Sequence, residues 1–477
     1  MSGSLPGLLA RIAGALGDDR LLGPEARGPS PGVDLCGYAL GQPLAWVRPR
    51  SAAEVAQLVG IARATQTPLV PVGRRTAYWR PLRLEAAIAL DISGLDRLQT
   101  PDLEAGYFRC GAGAEVRAVD EALRGHGAVL ASFPDAFGDT SIGAMVAGGF
   151  VSGIGMGNGT FASTLVGLTV VLGTGEVLST GAGQSLAASP FIRPGLPDPT
   201  ELFLASDGAL GVITEVVIRP HRQVPLAQLT WRGPPGRAGL RAAVELARRL
   251  RRPGLYETFR AATVFEAGDG AAGPLEVDLA IPAPLGVGEL GERVRAIQAL
   301  AARVFPGAAF SEQREIPGQP GRIDLRSFRN AKSGDHWRQM AANQFAGVDV
   351  IVPYGEQEAC FDAALEIVAD ARRLPTLLGA RCALYFAPDF INLGLHLELR
   401  REGPEAAAAA HSLVARAMLC FAPLRVTPYR WGRLWEPALG AKLDPVYRAF
   451  LLDLKRRCDP QGILHSGASI FGGARTS

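Results

Sequence analysis

The segment at residues 138–160 has the composition of a surface on which a ligand is laid. It reads GDTSIGAMVAGGFVSGIGMGNGT, is rich in glycine and is almost free of charge. Glycines interrupt it too often for a membrane-spanning helix, which needs about 20 mostly apolar residues. Its Ile, Met, Val and Phe residues do not suit a flexible linker. We therefore expect a buried segment whose backbone is closely approached by another part of the chain or by a ligand.

A second stretch with chemistry-bearing residues follows an early β-α-β unit. LAWVRP and TPLVPVG predict strands on either side of a helix that begins at a capping box formed by Ser51 and Glu54. The unit ends in the loop VGRRTAYWRP, which carries Arg74 and Arg75. Ligands are commonly held at the carboxyl ends of strands in such units, so this loop is a second candidate for ligand binding.

Composition indicates an ordinary globular protein. The chain has 477 residues, of which 48% are hydrophobic and 20% charged, with a net charge of +3, so two domains are expected. No basic run is interleaved with aromatic residues, which argues against a nucleic-acid partner. The six cysteines lack C-x-x-C or zinc spacing, so we expect reduced thiols and no metal site. The N-terminus lacks the basic start of a secretory signal and predicts an amphipathic helix in a cytoplasmic protein outside the membrane.

The pattern of elements changes at about residue 224. Before it lie strand candidates such as AIALDI and YFRCGAG, a helix at 114–124, and the hairpin LVGLTVVLGTGEVLSTG, which turns at Thr174 and Gly175. After it, Ala- and Arg-rich helices alternate with strand candidates such as LEVDLAIP, GVDVIVPY, CALYFAP and INLGLHLELR, which indicates a separate α+β domain. The predicted helices of this second part cover residues 239–252, 289–304, 356–373 and 405–418.

The order of these motifs resembles the vanillyl-alcohol oxidase and p-cresol methylhydroxylase (PCMH-type) superfamily of FAD-binding flavoproteins. The resemblance covers residues 44–220 and 383–467 and rests on RCGAGAEVRAVDEAL, DTSIGAMVAGG, LVGLTVVLGTGEVLSTG, SDGALGVITEVVIRP and a terminal DPQGIL. It implies an α+β fold with a two-subdomain FAD-binding domain and an α+β cap domain that carries an antiparallel sheet. We predict an N-terminal helical extension at 1–43, the FAD-binding domain at 44–223, the substrate (cap) domain at 224–430, and a C-terminal segment at 431–477 that returns to the FAD domain.

The resemblance also implies where FAD lies. Backbone amides of the loop after the second strand and of residues 141–149 are expected to bind the pyrophosphate and ribityl chain, because converging N–H groups form an anion-binding concavity. Arg74 and Arg75 depart from the small residues usual in this loop; they can neutralise a pyrophosphate, or their bulk can fill the space that FAD needs. The predicted cofactor-binding residues are Pro71, Val72, Gly73, Arg74, Arg75, Thr76, Thr140, Ser141, Ile142, Gly143, Val146, Gly149, Gly153, Gly211, Val212 and Ile213.

Covalent attachment of FAD is not expected. Some members of the superfamily link the flavin through a His of the first loop or through a His or Tyr of the cap. The first loop of this chain contains no His, and the cap position aligns with Ala383, two residues before Tyr385. We therefore predict noncovalent FAD, with a tyrosyl link through Tyr385 as the alternative. If Tyr385 has no functional role, it is an aromatic side chain of the core on a buried strand.

The resemblance places the catalytic candidates in the cap. In the phenol-oxidising branch a Tyr-Arg pair binds the phenolate and balances charge on the reduced flavin, and Tyr429 and Arg430 stand at the matching place. The acid usually found beside the flavin is absent, since Phe150 or Val151 occupies its position. His396 is a candidate base on a predicted strand, although a lone His on a strand is more often structural.

The expected function is that of an FAD-dependent oxidoreductase that takes hydride from a small, possibly phenolic or alcohol, substrate. Two alternatives stay open: a 2-hydroxy-acid dehydrogenase, whose usual metal-binding His pair is missing here, and a non-catalytic scaffold or subunit with the same fold. A homo-oligomer is expected, and a redox partner protein is compatible with the sequence.

Overall fold

The fold consists of four β-sheets with helices packed against them. It is seen in a computed structural model, which describes residues 5–23, 34, 36–75, 82–132, 134, 140–151, 155–184, 197–252, 254–266, 272–317, 343–401, 403–430, 435–464 and 471.

The first subdomain is a small parallel sheet flanked by helices. Its strands are β1 (Ala45–Val47), β2 (Leu69–Val72) and β3 (Ile88–Asp91), in the order β1-β3-β2. Helix α2 (Ala52–Thr65) joins β1 to β2 and begins at Ser51, whose side chain accepts a hydrogen bond from Glu54 N at 3.2 Å. The predicted helix start at Ser51 is thus confirmed, but only the serine half of the capping box forms, because the Glu54 carboxylate binds Arg50 N and Arg20. The apolar face of α2 is buried against the sheet beside α1 (Leu5–Leu16).

The second subdomain positions the glycine-rich segment. Its four-stranded antiparallel sheet has the order β4-β8-β6-β7, and a two-stranded sheet pairs β5 with β9. The short helix α4 begins directly after Ser141 and contains residues 142–147 of the glycine-rich segment. The elements are β4 (Phe108–Gly111), α3 (Val116–Arg124), β5 (Ala128–Val129), α4 (Ile142–Ala147), β6 (Leu165–Val171), β7 (Val177–Ser179), β8 (Val212–Ile218) and β9 (His221–Arg222).

The cap domain is built on one large antiparallel sheet, as the resemblance implied. The order of its eight strands is β13-β10-β12-β11-β15-β16-β14-β17. Helices α5 to α8 cover one face and share its apolar core, whereas the opposite face, called here the inner face, meets the glycine-rich segment at Met156. The elements are β10 (Leu226–Gly233), α5 (Gly236–Arg249), β11 (Thr258–Glu266), β12 (Leu275–Pro282), α6 (Val287–Val304), β13 (Ala309–Glu315), β14 (Gln344–Pro353), α7 (Gln357–Ala371), β15 (Leu377–Phe386), β16 (Phe390–Leu399), α8 (Gly403–Phe421) and β17 (Thr427–Pro428).

Some predicted bounds are wrong, and three strands of the cap sheet were not predicted. The helix expected at 114–124 begins at Val116, and those expected at 239–252 and 405–418 are α5 and α8, with shifted ends. The sequence analysis did not predict β10, β11 or β13. Strand β13 is an edge strand whose side chains are mostly exposed, so it has no alternation of apolar and polar residues to reveal it.

The chain returns to the first subdomain after the cap. Helix α9 (Glu436–Leu439) is followed by α10 (Pro445–Cys458), and Leu69 N then donates a hydrogen bond to Ile463 O at 2.8 Å. The buried Lys455 Nζ donates to Ala209 O at 2.7 Å and to Leu464 O at 3.0 Å, and it pairs with Asp459 at 2.5 Å. Among the helices in the described ranges, none is long and apolar enough to cross a membrane.

Candidate active site

Close contacts with other parts of the chain already require glycine at two positions of the glycine-rich segment. A Cβ added to Gly143 would lie 2.6 Å from Ala112 Cβ and 2.7 Å from Ala112 O. At Gly155, which has a φ of +76°, a Cβ would lie 1.6 Å from Ala131 O. Of the two partners that the sequence allowed for this backbone, another segment or a ligand, the chain itself is the partner at these two positions.

Ser141 provides a polar group that suits a bound cofactor. Its hydroxyl is buried and makes no capping bond to α4, and it has no hydrogen-bond partner within the described part of the chain. The loop after β2 lies beside it, since a Cβ on Gly73 would be 3.1 Å from Ser141 Oγ and 3.1 Å from Ala144 Cβ. Ser132, next to Gly155, has a second buried hydroxyl with no partner among the same residues. Buried polar groups normally have partners, so these residues fit the polar part of FAD.

The two loop arginines are both engaged with protein groups. Arg74 forms an ion pair with Glu115, and Arg75 places its guanidinium carbon 5.6 Å from the centre of the Trp46 ring. Burial lowers the pKa of Arg75, while the nearby Asp91 opposes that change. The charge of Arg74 is therefore compensated within the protein, and that of Arg75 lies over an aromatic ring.

The other predicted cofactor contacts are mostly side chains of the apolar cores. The backbone at Gly211 packs closely against β6, since a Cβ there would lie 2.3 Å from Val170 Cγ1. Any contact of these core residues with FAD would be made by their backbone. Thr76 and Gly153 lie outside the described residues. The residues that pack in cores are Val72, Ile142, Val146, Val212 and Ile213.

Tyr429 and Arg430 meet the glycine-rich segment where the family acid was expected. The Tyr429 hydroxyl donates a hydrogen bond to Val151 O, and its ring lies edge-on to Phe150 with centroids 6.1 Å apart. The Arg430 guanidinium carbon is 5.0 Å from the centre of the Phe150 ring, and a Cβ on Gly148 would lie 2.8 Å from Arg430 Nη1. The fold thus brings the end of the cap's last strand onto residues 148–151 of the FAD-binding domain.

His396 is paired with an acid that the sequence analysis missed. Its Nε2 lies 3.3 Å from Oδ1 of Asp349, which is buried on the neighbouring strand β14. Gly394 leaves room for the pair, because a Cβ there would lie 2.5 Å from Asp349 Oδ1 and 3.1 Å from His396 Nε2. Asp349 O also accepts a hydrogen bond from Tyr429 N at 2.9 Å. An acid inside the otherwise apolar GVDVIVPY was the available signal.

Tyr385 lies on the same inner face as His396 but contacts different residues. It is buried with Met156, Ala262 and Ala383, and its hydroxyl accepts a hydrogen bond from Arg381 Nη2 at 3.4 Å. Tyr385 thus joins the glycine-rich segment to the cap sheet. Within the described residues, no three His, Cys, Asp or Glu side chains are grouped in a way that could hold a metal ion, and the six cysteines form no disulfide.

Comparison with known proteins agrees with this geometry. The FAD binding domain family matches residues 43–181. The structure of 4-ethylphenol oxidase from Gulosibacter chungangensis superposes with a TM-score of 0.82 and 16% identity, over 98% of this chain and 97% of that one. p-Cresol methylhydroxylase gives a TM-score of 0.80 and 15% identity, over 99% and 97%. Residues 43–181 thus match an FAD binding domain, and the chain as a whole shares the fold of these two enzymes.

Two curated relatives resemble only part of the chain in sequence. The mitochondrial D-lactate dehydrogenase [cytochrome] of Arabidopsis thaliana is 28% identical over 36% of this chain and 29% of its own length. The probable mitochondrial D-2-hydroxyglutarate dehydrogenase of Oryza sativa subsp. indica is 25% identical over 45% of this chain and 38% of its own length. The match thus spans well under half of either relative.

Proposed function

We propose that the chain is an FAD-dependent oxidoreductase that takes hydride from a small phenol or alcohol bound between the inner face of the cap sheet and residues 148–151 and 155–157. The observation that carries this proposal is the meeting of Tyr429 and Arg430 with Phe150 and Val151, beside the Asp349–His396 pair. FAD, when bound, supplies the hydride acceptor.

Arg430 holds the substrate oxygen in this proposal, and Tyr429, whose hydroxyl donates to Val151 O, joins the cap to the FAD-binding domain beside it. A guanidinium stays charged and keeps its donors in a rigid plane, so it stabilises a phenolate or a developing alkoxide. Phe150 and Val151 exclude water on one side of the pair, which strengthens the interaction between the charges. The support is geometric, since the Arg430 guanidinium lies within 5.2 Å of the ring centres of Phe150 and Tyr429.

The His396–Asp349 pair takes the role of the missing acid. In this proposal Asp349 orients the His396 ring through Nε2, and Nδ1 accepts the proton of the substrate hydroxyl. The buried carboxylate fixes the ring and stabilises the imidazolium that forms, as an orienting acid does in catalytic triads. The pair also explains why this strand carries glycine at position 394.

FAD is held noncovalently in this proposal, in a cytoplasmic protein. The first loop has no His, and the Tyr385 hydroxyl already accepts a hydrogen bond from Arg381. Ser141 and Ser132 supply the polar contacts to the cofactor. The six cysteines, none of which forms a disulfide, support the compartment.

The experiment is a visible spectrum of the purified protein followed by anaerobic mixing with aryl alcohols, 4-alkylphenols and D-2-hydroxy acids. A flavin spectrum that bleaches with one of these classes is expected. Ser141→Ala is expected to weaken the affinity for FAD about 5-fold or more, since one buried hydrogen bond is worth about 1 kcal/mol or more. A colourless protein that gains no flavin on incubation with FAD would refute the proposal and favour the scaffold.

A 2-hydroxy acid is the second candidate substrate, because both curated relatives described above carry names of such dehydrogenases. In that case bleaching is expected with the D-2-hydroxy acids and not with the 4-alkylphenols.

A further inference from the structure

Four polar side chains form two rows on the inner face of the cap sheet. Arg381 and Tyr385 lie on β15, and their partners in the register with β16 are His396 and Asn392, respectively. The row between them contains only Ala383 and Gly394. Because side chains two residues apart share a face of a strand, all four point to the side of the sheet that meets the glycine-rich segment.

Arg381 forms no ion pair with an acidic side chain of the described residues. Its side chain is half-buried, its hydrogen bond to Tyr385 uses a single N–H, and no carboxylate of the described residues lies within ion-pair distance. Arg260, on the adjacent strand β11, shows the contrasting case: its Nε and Nη2 donate to Asp278 Oδ2 at 3.1 and 2.6 Å. The charge of Arg260 is compensated inside the protein, whereas that of Arg381 is left for a ligand.

Asn392 gives a second, independent indication of a ligand. Its side chain is 4% exposed, and Oδ1 has no hydrogen-bond partner among the residues that the structure describes. A buried amide without a partner is costly. Because the amide O and N are interchangeable by a flip, the group can either accept from a hydroxyl or donate to an anion.

We propose that Arg381, with Asn392 beside it, binds a carboxylate of the substrate, so that the enzyme acts on carboxylate-bearing alcohols in preference to neutral ones. The inference rests on the proposed function and names its substrate class. Arg381 is opposite His396 in the β15–β16 register, so a carboxylate held by Arg381 places a nearby substrate hydroxyl at the His396 ring. The guanidinium fork matches a carboxylate in two parallel hydrogen bonds.

The test measures binding of benzoate and of its neutral counterpart benzamide to the purified holoenzyme by titration calorimetry. Wild type is expected to bind benzoate more tightly. Arg381→Met is expected to weaken benzoate binding about 10- to 100-fold, the loss for a hydrogen bond to a charged group, while benzamide binding stays unchanged. Arg381→Lys restores part of the preference, because the charge returns without the fork. Arg373→Met, which removes an exposed arginine from the same domain, is the matched control.

Three results would overturn the proposal: no preference for benzoate in wild type, equal loss of both ligands in Arg381→Met, or loss of the preference in Arg430→Met alone. A different result would contradict the proposed function. If benzoate selectivity depends on Arg381 but no alcohol bleaches the flavin, the anion site stands and the proposed reaction is wrong.

Discussion

Asp34 makes the attachment of the chain's early segment to the cap sensitive to pH. Its Oδ1 accepts hydrogen bonds from Cys36 N and Tyr38 N, each at 2.9 Å. The segment docks on α8, where the Tyr38 ring stacks on His411 at 3.8 Å and the His411 Nε2 lies 2.7 Å from Cys36 O. Asp34 Oδ2 is buried and has no partner in the described part of the chain.

Burial raises the pKa of Asp34 from 3.8 to about 7, although the Tyr38 and Cys36 amides and the charge of Arg401 oppose the shift. The folded state therefore binds the proton more tightly than the unfolded state. The contribution of the protonated Asp34 to the free energy of unfolding is complete below pH 4 and is lost as the pH rises through 7. At 1.36 kcal/mol per pKa unit, a shift of about three units corresponds to about 4 kcal/mol as an upper limit.

The perturbation is Asp34→Asn, which keeps an oxygen for the two amides and cannot ionise. We expect the segment at residues 34–44 to lose protection from hydrogen exchange between pH 5 and pH 8 in wild type, and to keep more of it in the variant. Exchange is compared at equal pH, so the intrinsic rate cancels. Burial also raises the pKa of Glu257 to about 7, which is why the difference between two proteins, rather than one pH profile, is the measurement.

Asp18→Asn, at an exposed position of the N-terminal region, is the control and should leave the difference near zero. If wild type and Asp34→Asn differ equally at pH 5 and pH 8, the carboxyl does not change its charge in this range, and the reasoning from its burial is refuted.

Three further predictions concern cofactor retention, catalysis and stability. Gly155→Ala should destabilise the FAD-binding domain by more than about 3 kcal/mol and lower flavin retention, because its Cβ would overlap Ala131 O; an unchanged melting temperature contradicts this. Arg430→Met should keep flavin bound and slow its reduction by substrate at least about 10-fold, whereas Arg425→Met, which removes an exposed arginine from the same segment, should not. Lys455→Met should cost about 3–5 kcal/mol by leaving Asp459 buried without its partner; calorimetric unfolding with no loss would refute the assignment.

Two tests that the sequence alone would suggest are changed by the structure. From the sequence alone, a bulky residue at Gly143 would block FAD, but in the structure the new side chain would collide with Ala112 first. Loss of flavin in that variant would therefore report disruption of packing. Arg433, the natural comparison for Arg430 by sequence position, lies outside the described residues, so Arg425 replaces it.

The sequence by itself determined the elements with strong local signals. The helix start at Ser51, the hairpin of β6 and β7, and the long apolar strands β14 and β16 follow from residue type and periodicity, because each depends on neighbours within a few positions. The ordered glycine motifs also predicted an FAD-binding domain, which the family match over residues 43–181 confirms. Strand β13 escaped prediction, since an exposed edge strand has no apolar alternation.

Only the tertiary structure decided which residues form the site. Asp349 and His396 are 47 positions apart, and they meet because β14 and β16 are neighbours in the sheet and Gly394 leaves space between them. Tyr429 reaches Val151 across 278 positions. Arg260 pairs with Asp278 on the adjacent strand, whereas Arg381 forms no ion pair with an acid of the described residues. Such pairings depend on strand order and register, which are set by long-range packing and leave no pattern in the local sequence.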